Sequence, residues 1–547
     1  MNGRRAGGIL MTAAGLALAA CAPAAQNGDT VTPPAVVPAP ASIEASGAAP
    51  FRLADETGVT GDRDAAAVLS ALVEARTGLA LDGRTGIDLR IETGGAPESY
   101  RIAVDGAAPT RPEAPGGAPA VPGAGLGTVV VTGADAAGLF YGVQTLGQLI
   151  AKTGDGWTIP AVEIEDAPRF TYRGVMLDVA RHFHGVDTVK AYIDRAAGLK
   201  LNALHLHLSD DQAWRLQLAS RPELTAKTAD NAIGGDRGGF FTKADYADIV
   251  AHASARHMIV VPEFDTPGHT HAVGLAYPGL AEAPVVTEQI AANGDELPLA
   301  GVPYQGLAVG FSSLKIHDEA TYDFLADVFG ELAGMTPGPY LHVGGDEAHG
   351  TDPDDFALFM SRVTRIVADL GKTPVAWHEA GSSSGLAPDT IGQYWGFVAP
   401  TDGMDVTARA FVENGAQLIL SPADAVYLDM KYSADAPLGL TWANGPTSVE
   451  RAYAWEPSAV IPGVSDDDIL GVEAPMWTET VRDLSDIDEM AFPRIAAAAE
   501  AAWSPATGRS DLRTWGSFRA RVGALGPLWT SLGIGFHASD EIPWAAE

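Results

Sequence analysis

A (β/α)8 TIM barrel preceded by a small α+β domain is the fold class that the sequence predicts, and three observations predict it. Beyond Asp166 the chain changes texture, to short apolar runs alternating with amphipathic stretches. Eight such runs begin near Gly174, Ala203, Met258, Leu341, Val375, Ile391, Leu418 and Leu470, over a length that one barrel with long insertions can fill. Carboxylates and indoles recur where those runs end, the side of a barrel that carries its chemistry. An open doubly wound sheet is the other arrangement compatible with β/α alternation.

Taken in order, residues 1–21 read as a secretory signal. Arg4-Arg5 gives a basic start, Ile9 to Ala20 an apolar run too short to span a membrane, and Leu18-Ala19-Ala20-Cys21 small residues before a break. That last tetrad resembles a bacterial lipobox, whose cysteine becomes the lipid-bearing first residue of the mature protein. It implies an exported lipoprotein of the cell envelope, facing the periplasm, with Cys21 as its membrane contact. Cys21 is the chain's one cysteine, so the mature protein has no disulfide, no thiolate nucleophile and no cysteine metal site. Residues 22–34, rich in Ala, Pro, Thr and Asn, form a tether.

Residues 35–165 make the α+β domain. Ala65, Val68, Leu69, Leu72 and Val73 fall on one face of a helix over 65–77. Strands follow over 87–91, 100–104 and 128–132, the last after a Pro/Gly/Ala-rich loop, and a helix over 134–150 closes the unit.

Residues 166–547 hold the barrel and a C-terminal helical segment. Between the first two runs Val189, Tyr192, Ile193 and Ala196 repeat at helical period, with Asp187 expected as the cap. Thr242-x-x-Asp245 is a capping-box variant ahead of Tyr246, Ile249, Val250 and Ala253. Tyr322 to Leu332 and Phe359 to Leu370 carry the same period, Gly371 stopping the second. The segment 381–389, after the fifth run, carries no helical pattern.

The net charge of −34, from 35 basic and 69 acidic residues, argues against nucleic acid and favours a neutral or cationic ligand. The ends of the runs offer Asp178 and Arg181, Asp210-Asp211, Glu263, Asp265 and His269, Asp346-Glu347, Trp377-His378-Glu379, Gln393 and Trp395, Tyr427 and Asp429, Trp477 and Glu479. Indole faces cover sugar C–H surfaces while carboxylates and arginine bond hydroxyls, so a carbohydrate partner fits this mixture. No feature specifies an oligomeric state. At the fourth run Gly344-Gly345 turns the backbone, so the adjacent carboxylates Asp346 and Glu347 can converge on one ligand.

His342-Val343-Gly344-Gly345-Asp346-Glu347 resembles the signature of family 20 glycoside hydrolases, the β-N-acetylhexosaminidases. Arg173 to Arg181, Leu201 to Arg215, Pro262 to His269, Trp377-His378-Glu379, Tyr427-Leu428-Asp429 and Trp477-Thr478-Glu479 resemble family motifs in the family's order. Gly138 to Leu146 is similar to the family's non-catalytic domain. The resemblance implies an exo-acting, retaining, cofactor-free and metal-free removal of terminal N-acetylglucosamine or N-acetylgalactosamine. The sugar's acetamido oxygen attacks C1, giving an oxazolinium-like intermediate. Glu347 would be the general acid and then base, and Asp346 would orient the acetamido N–H. Arg181, Asp429 and Glu479 would hold hydroxyls, Tyr427 would bond the acetamido oxygen, and Trp377, Trp395 and Trp477 would wall the pocket. Asp210 with His269 would support Glu347. Asp178 reads as structural on a different ground, since strand-end carboxylates often cap neighbouring loops. Ala213, where the family usually has Gly, is a local departure.

Two rival readings stand beside this one. His205-x-His207 on one strand face could start a metal site, though no remaining ligand set assembles around it and hydrogen-bonded core histidines fit better. A glycan-binding protein without turnover could use the same mouth, but intact Asp346 and Glu347 argue against it.

Overall fold

The computed structural model of the protein describes residues 34–83, 85–106, 127–154, 156–287, 290–291 and 298–546. Cys21, the signal segment, all of the tether but Pro34, and most of the Pro/Gly/Ala-rich loop lie outside the described residues. No described helix is long and apolar enough to cross a membrane.

The first nine strands are β1 (Ser42–Ala45), β2 (Phe51–Leu53), β3 (Thr57–Gly61), β4 (Thr85–Ile91), β5 (Tyr100–Asp105), β6 (Thr128–Gly133), β7 (Ala151–Thr153), β8 (Gly156–Ile159) and β9 (Val162–Asp166). They form a mixed six-stranded sheet in the order β1-β9-β5-β6-β4-β3 and a three-stranded sheet β2-β8-β7. The expected helices appear as Arg63–Thr77, capped by the Asp62 side chain and stopped at left-handed Gly78, and Ala136–Leu149, buried almost throughout. The strands absent from the sequence reading are short, and several are glycine-bearing or half-exposed: Thr57–Gly61 reads Thr-Gly-Val-Thr-Gly.

Eight parallel strands then close into a barrel: β10 (Tyr172–Asp178), β11 (Ala203–His207), β12 (Ile259–Glu263), β13 (Tyr340–His342), β14 (Thr373–Trp377), β15 (Ile391–Tyr394), β16 (Leu418–Leu420) and β17 (Ile469–Met476). Each begins within two residues of its expected start, and closure excludes the open sheet. The Thr242 capping box forms in full ahead of helix Lys243–Ser254 and is worth about 1 kcal/mol. Asp187 does not cap its helix. Gly185 takes that position without a side-chain bond, and Asp187 sits in the first turn, where a negative charge still favours the helix dipole. After β14 only a single tight turn, His378–Ser382, replaces the usual helix.

Alternate residues of each strand point into the barrel and build it in layers. Tyr172, Ala203, Val261, Val375, Ile391, Ile419 and Leu470 form an apolar floor. Two residues further along their strands stand His205, Glu263, Trp377 and Gln393, joined by His342 and Glu473, a polar storey with no access to solvent. Gly174 leaves room for Glu473 opposite: a Cβ would lie 2.7 Å from the Glu473 Oε2 and displace it. The barrel mouth sits above this storey.

Candidate active site

The mouth is built around the turn that leaves β13. Gly344 takes φ +76°, and a Cβ at that position would fall 1.7 Å from the Asp265 Oδ1, so no other residue fits. The Gly345 N–H then donates to that oxygen (3.1 Å) and pins the turn. Glu347 itself lies at φ +45° and His269, across from it, at φ +53°. Two bulky residues held in the left-handed region at one spot is backbone strain of the sort that gathers at functional sites.

Asp346 and Glu347 both open onto one cavity of about 1020 Å³, at the upper end for small-molecule sites. The His269 Nε2 stands 3.5 Å from a Glu347 oxygen and 3.8 Å from an Asp346 oxygen, while its Nδ1 faces Asp210 at 3.2 Å. Burial alone would strip this imidazole of its proton, but Asp210, Asp265 and Asp346 outweigh it and keep it charged well above the usual range. Burial pushes the Asp346 carboxyl up, and the charged His269 opposes it. Asp265 is pushed much further, by burial and then by repulsion from Asp346. Burial thus disfavours the charged form of both carboxyls, and of Asp265 more strongly than of Asp346.

The remaining expected residues divide. Arg181, Trp395, Tyr427, Trp477 and Glu479 line the cavity with Asp346 and Glu347. Arg181 is oriented by Asp210 (2.8 Å) and Asp178 (3.5 Å) and lies over the Trp477 ring at 4.8 Å. Asp178 also accepts from the backbone N–H groups of Ala180, Arg181 and Thr478, tying two loops together. The Trp395 indole donates to Glu379 at 3.0 Å. Burial raises the Glu479 carboxyl to about 7 against the pull of Arg181.

Two expected residues do not reach the open cavity. Trp377, expected as a wall, is wholly buried behind Trp477, ring centroids 6.1 Å apart, because its indole N–H is drawn inward to Glu263 (2.9 Å). Asp429, expected to hold a hydroxyl, is likewise buried beside the lining rather than in it, and burial followed by Glu479 repulsion pushes its carboxyl far up.

Trp442 is the aromatic that the sequence reading missed. Half exposed, it stands edge-on to Trp395 (5.9 Å) and Tyr427 (5.7 Å) at the rim. It belongs to the long loop after β16, beyond the strand end itself, where a reading of strand ends does not look. Val286, Leu307 and His349 complete the rim and were equally out of sight.

Several acceptors at and just behind the cavity wall are left open. One oxygen of Asp346, both of Asp429 and one of Glu479 are buried with no hydrogen-bond partner among the described residues. Each such acceptor costs about 1–3 kcal/mol unless something donates to it. A ligand rich in O–H and N–H groups with apolar faces for the indoles satisfies them. His205 and His207 spend both ring nitrogens on carboxylates: Glu473 (2.9 Å) and Glu263 (3.1 Å) for the first, Glu263 and Asp210 (3.0 Å) for the second. His/carboxylate atoms also cluster closely enough for an ion at Asp210, Asp211 and His269, and at Asp265, His269 and Asp346. His269 Nδ1 there bonds Asp210, and in the second group burial raises the carboxyls of both Asp265 and Asp346.

Comparison with known proteins agrees with this chemistry. Residues 170–354 and 351–506 match the family model described as "Glycosyl hydrolase family 20, catalytic domain", and residues 33–167 match "Glycosyl hydrolase family 20, domain 2". A "Beta-N-acetylhexosaminidase" of Cellulomonas fimi is 40% identical over 519 residues, spanning 93% of this chain and 97% of the relative. Among solved structures, "A Glycoside Hydrolase Family 20 beta-N-Acetylglucosaminidase" aligns with TM-score 0.83 at 67% identity, over 94% of this chain and all of that one. A mutant Streptomyces plicatus beta-hexosaminidase in complex with product (GlcNAc) aligns with TM-score 0.81 at 41% identity, over 94% and 98%.

Proposed function

The chain belongs to glycosyl hydrolase family 20 and is a β-N-acetylhexosaminidase, and from that premise we propose that it acts in exo fashion with the sugar's own acetamido oxygen as nucleophile. A terminal non-reducing N-acetylglucosamine or N-acetylgalactosamine is released with its anomeric configuration retained. The GlcNAc product held by the Streptomyces plicatus relative supports the first of the two sugars.

The observation that carries this reading is the unpartnered Asp346 oxygen beside Glu347 on one turn. Two carboxyls that straddle a scissile bond at about 5 Å come from opposite sides of a cleft. Here they are neighbours, so the second is better used on the substrate's amide. Asp346 accepts the acetamido N–H and stabilises the positive charge that develops as the amide oxygen closes on C1. The phenol of Tyr427 donates to that oxygen. Glu347 protonates the leaving oxygen and then takes a proton from the water that opens the oxazolinium ring. His269, held charged by Asp210, offsets the carboxylate that Glu347 becomes. Trp395 and Trp477 enclose the ring face with Trp377 behind them, and Arg181 and Glu479 hold hydroxyls, with Asp429 at hand.

A thiazoline mimic of the cyclised intermediate is the test. Inhibition far tighter than that by the product sugar supports the mechanism, since catalysis binds the transition state preferentially; equal affinity contradicts it. We further propose that Cys21 carries a lipid anchor. Cys21→Ser should move the protein from the membrane to the soluble fraction of cells, and an unchanged distribution rules the anchor out.

A further inference from the structure

We propose that Glu263, at the centre of the buried polar storey, is a positioning residue for both halves of the reaction: it steadies Glu347 through His207, Asp210 and His269, and the aromatic pocket through Trp377. This rests on the roles proposed above for Glu347 and the pocket.

The geometry is a column along the barrel axis. Glu473, bonded by Tyr172 and by Gln393 (2.6 Å), receives the His205 Nδ1 at 2.9 Å. The His205 Nε2 reaches Glu263 at 3.1 Å, and the same Glu263 oxygen takes the His207 Nδ1. The His207 Nε2 continues to Asp210 at 3.0 Å, Asp210 to His269 at 3.2 Å, and His269 to Glu347 at 3.5 Å. The other Glu263 oxygen accepts the Trp377 indole N–H at 2.9 Å and lies 3.0 Å from the His342 Nδ1. Trp377 in turn backs Trp477, which lines the cavity. Glu263 is thus the branch point from which one arm climbs to the acid/base and the other to the pocket floor.

Packing does not account for it. Barrel interiors are ordinarily filled by branched apolar residues, as the floor below is. Buried ion pairs are often matched or bettered in stability by apolar replacements. A storey of carboxylates and imidazoles with no solvent access stabilises the fold less than leucines could, but it fixes ring orientations and tautomers that leucines cannot. The alternation supports that use. Carboxylates at Glu473, Glu263 and Asp210 are interleaved with His205 and His207, which burial would neutralise but which the flanking carboxylates keep charged, at about 10 and about 9. Each imidazolium donates on both sides, so no ring can flip without breaking a bond, and the orientation of Asp210 and His269 is inherited from below.

The test uses full-length Glu263→Gln, His207→Gln and Trp377→Phe beside Glu347→Gln. Each is assayed on chitobiose, whose leaving group needs protonation, on a nitrophenyl β-N-acetylglucosaminide, whose leaving group does not, and with the thiazoline inhibitor. Glu263→Gln should lose about tenfold more kcat on chitobiose than on the aryl substrate and bind thiazoline about tenfold more weakly, within the reach of small misplacements. His207→Gln should show the first effect without the second, and Trp377→Phe the second without the first. Equal losses on both substrates with thiazoline affinity intact would make Glu263 merely structural and overturn the inference. Should Glu263→Gln fail to fold, the two arm variants decide alone: if neither shows its own effect, the inference falls. Glu347→Gln separates the two levels. A larger kcat loss on chitobiose than on the aryl substrate in that variant alone sinks the role of Glu263, whereas equal losses on both in Glu347→Gln sink the acid/base assignment itself.

Discussion

Two buried carboxylate clusters in this molecule look alike in composition and behave oppositely. At the seam between the first domain and the barrel, Asp166 accepts from the backbone N–H groups of Ala41 and Ala167, the Trp503 indole, the Tyr100 hydroxyl and Lys200, the nitrogen donors all at 3.0 Å. Lys200 is itself wholly buried, its ammonium over the Trp503 ring. At the mouth and just behind it, among the described residues, Asp429 has no partner for either oxygen, and Asp346 and Glu479 each leave one bare. A satisfied cluster is finished and holds the protein together. An unsatisfied one is open to donors from a ligand, and burial drives the carboxyls of Asp429 and Glu479 upward.

Substitutions at the two clusters should therefore separate stability from activity. The largest effect belongs to the mouth: Glu347→Gln should cut kcat on chitobiose by about 10²–10⁴, with the thermal midpoint unmoved. Equal loss on an activated aryl glycoside would contradict its part as general acid. Next comes the seam, where Lys200→Met takes the counter-charge from buried Asp166 and should cost about 3–5 kcal/mol in calorimetric stability while kcat at low temperature survives. A variant that stays stable but inactive would erase the distinction between the clusters. Asp429→Asn should raise KM by about tenfold, as one carboxyl partner for a sugar hydroxyl is lost, while stability holds because burial already favours the neutral carboxyl. A fall in stability would mean that Asp429 has a partner in the free protein.

The smallest effect is a pH slope. Burial lifts the Glu479 carboxyl from the usual 4.5 to about 7, so the folded state favours its protonated form. That contribution is complete below about pH 4.5 and disappears as pH rises through about 7. Glu479→Gln should flatten the decline of the thermal midpoint across that window, and an unchanged slope would contradict the assignment.

The barrel was legible because its strands are buried on both faces and read as unbroken apolar runs such as Ile259 to Val261, bracketed by helices of clear period. The turn at Gly344-Gly345 was legible because two glycines free the backbone where an apolar run ends, but its carboxylates stood out from an ordinary acidic loop only beside the other strand-end motifs. The first domain was read only in part. Its edge strands Ser42–Ala45 and Ala151–Thr153 are exposed and carry too little apolar signal to stand out. In the site, residues that end strands were found and those on insertions were not, as Trp442 shows. Burial depth was invisible too. Trp377 and Asp429 sit in the same kind of motif as Trp395 and Tyr427, and only the inward pull of Glu263 and the packing around Asp429 take them off the cavity wall. The buried column was visible as His205-x-His207 and Glu263, but its connections depend on which residues face each other across the barrel, which periodicity along one strand does not contain.

In the mechanism proposed for this enzyme, the substrate brings its own nucleophile to a pair of neighbouring carboxylates. Successive fluorination of the N-acetyl methyl group of an aryl glucosaminide drains electron density from the amide oxygen without changing the leaving group. If that oxygen attacks C1, kcat/KM should fall steeply with each fluorine. A rate indifferent to fluorination would mean that a protein carboxylate or water attacks instead, and the account would be wrong.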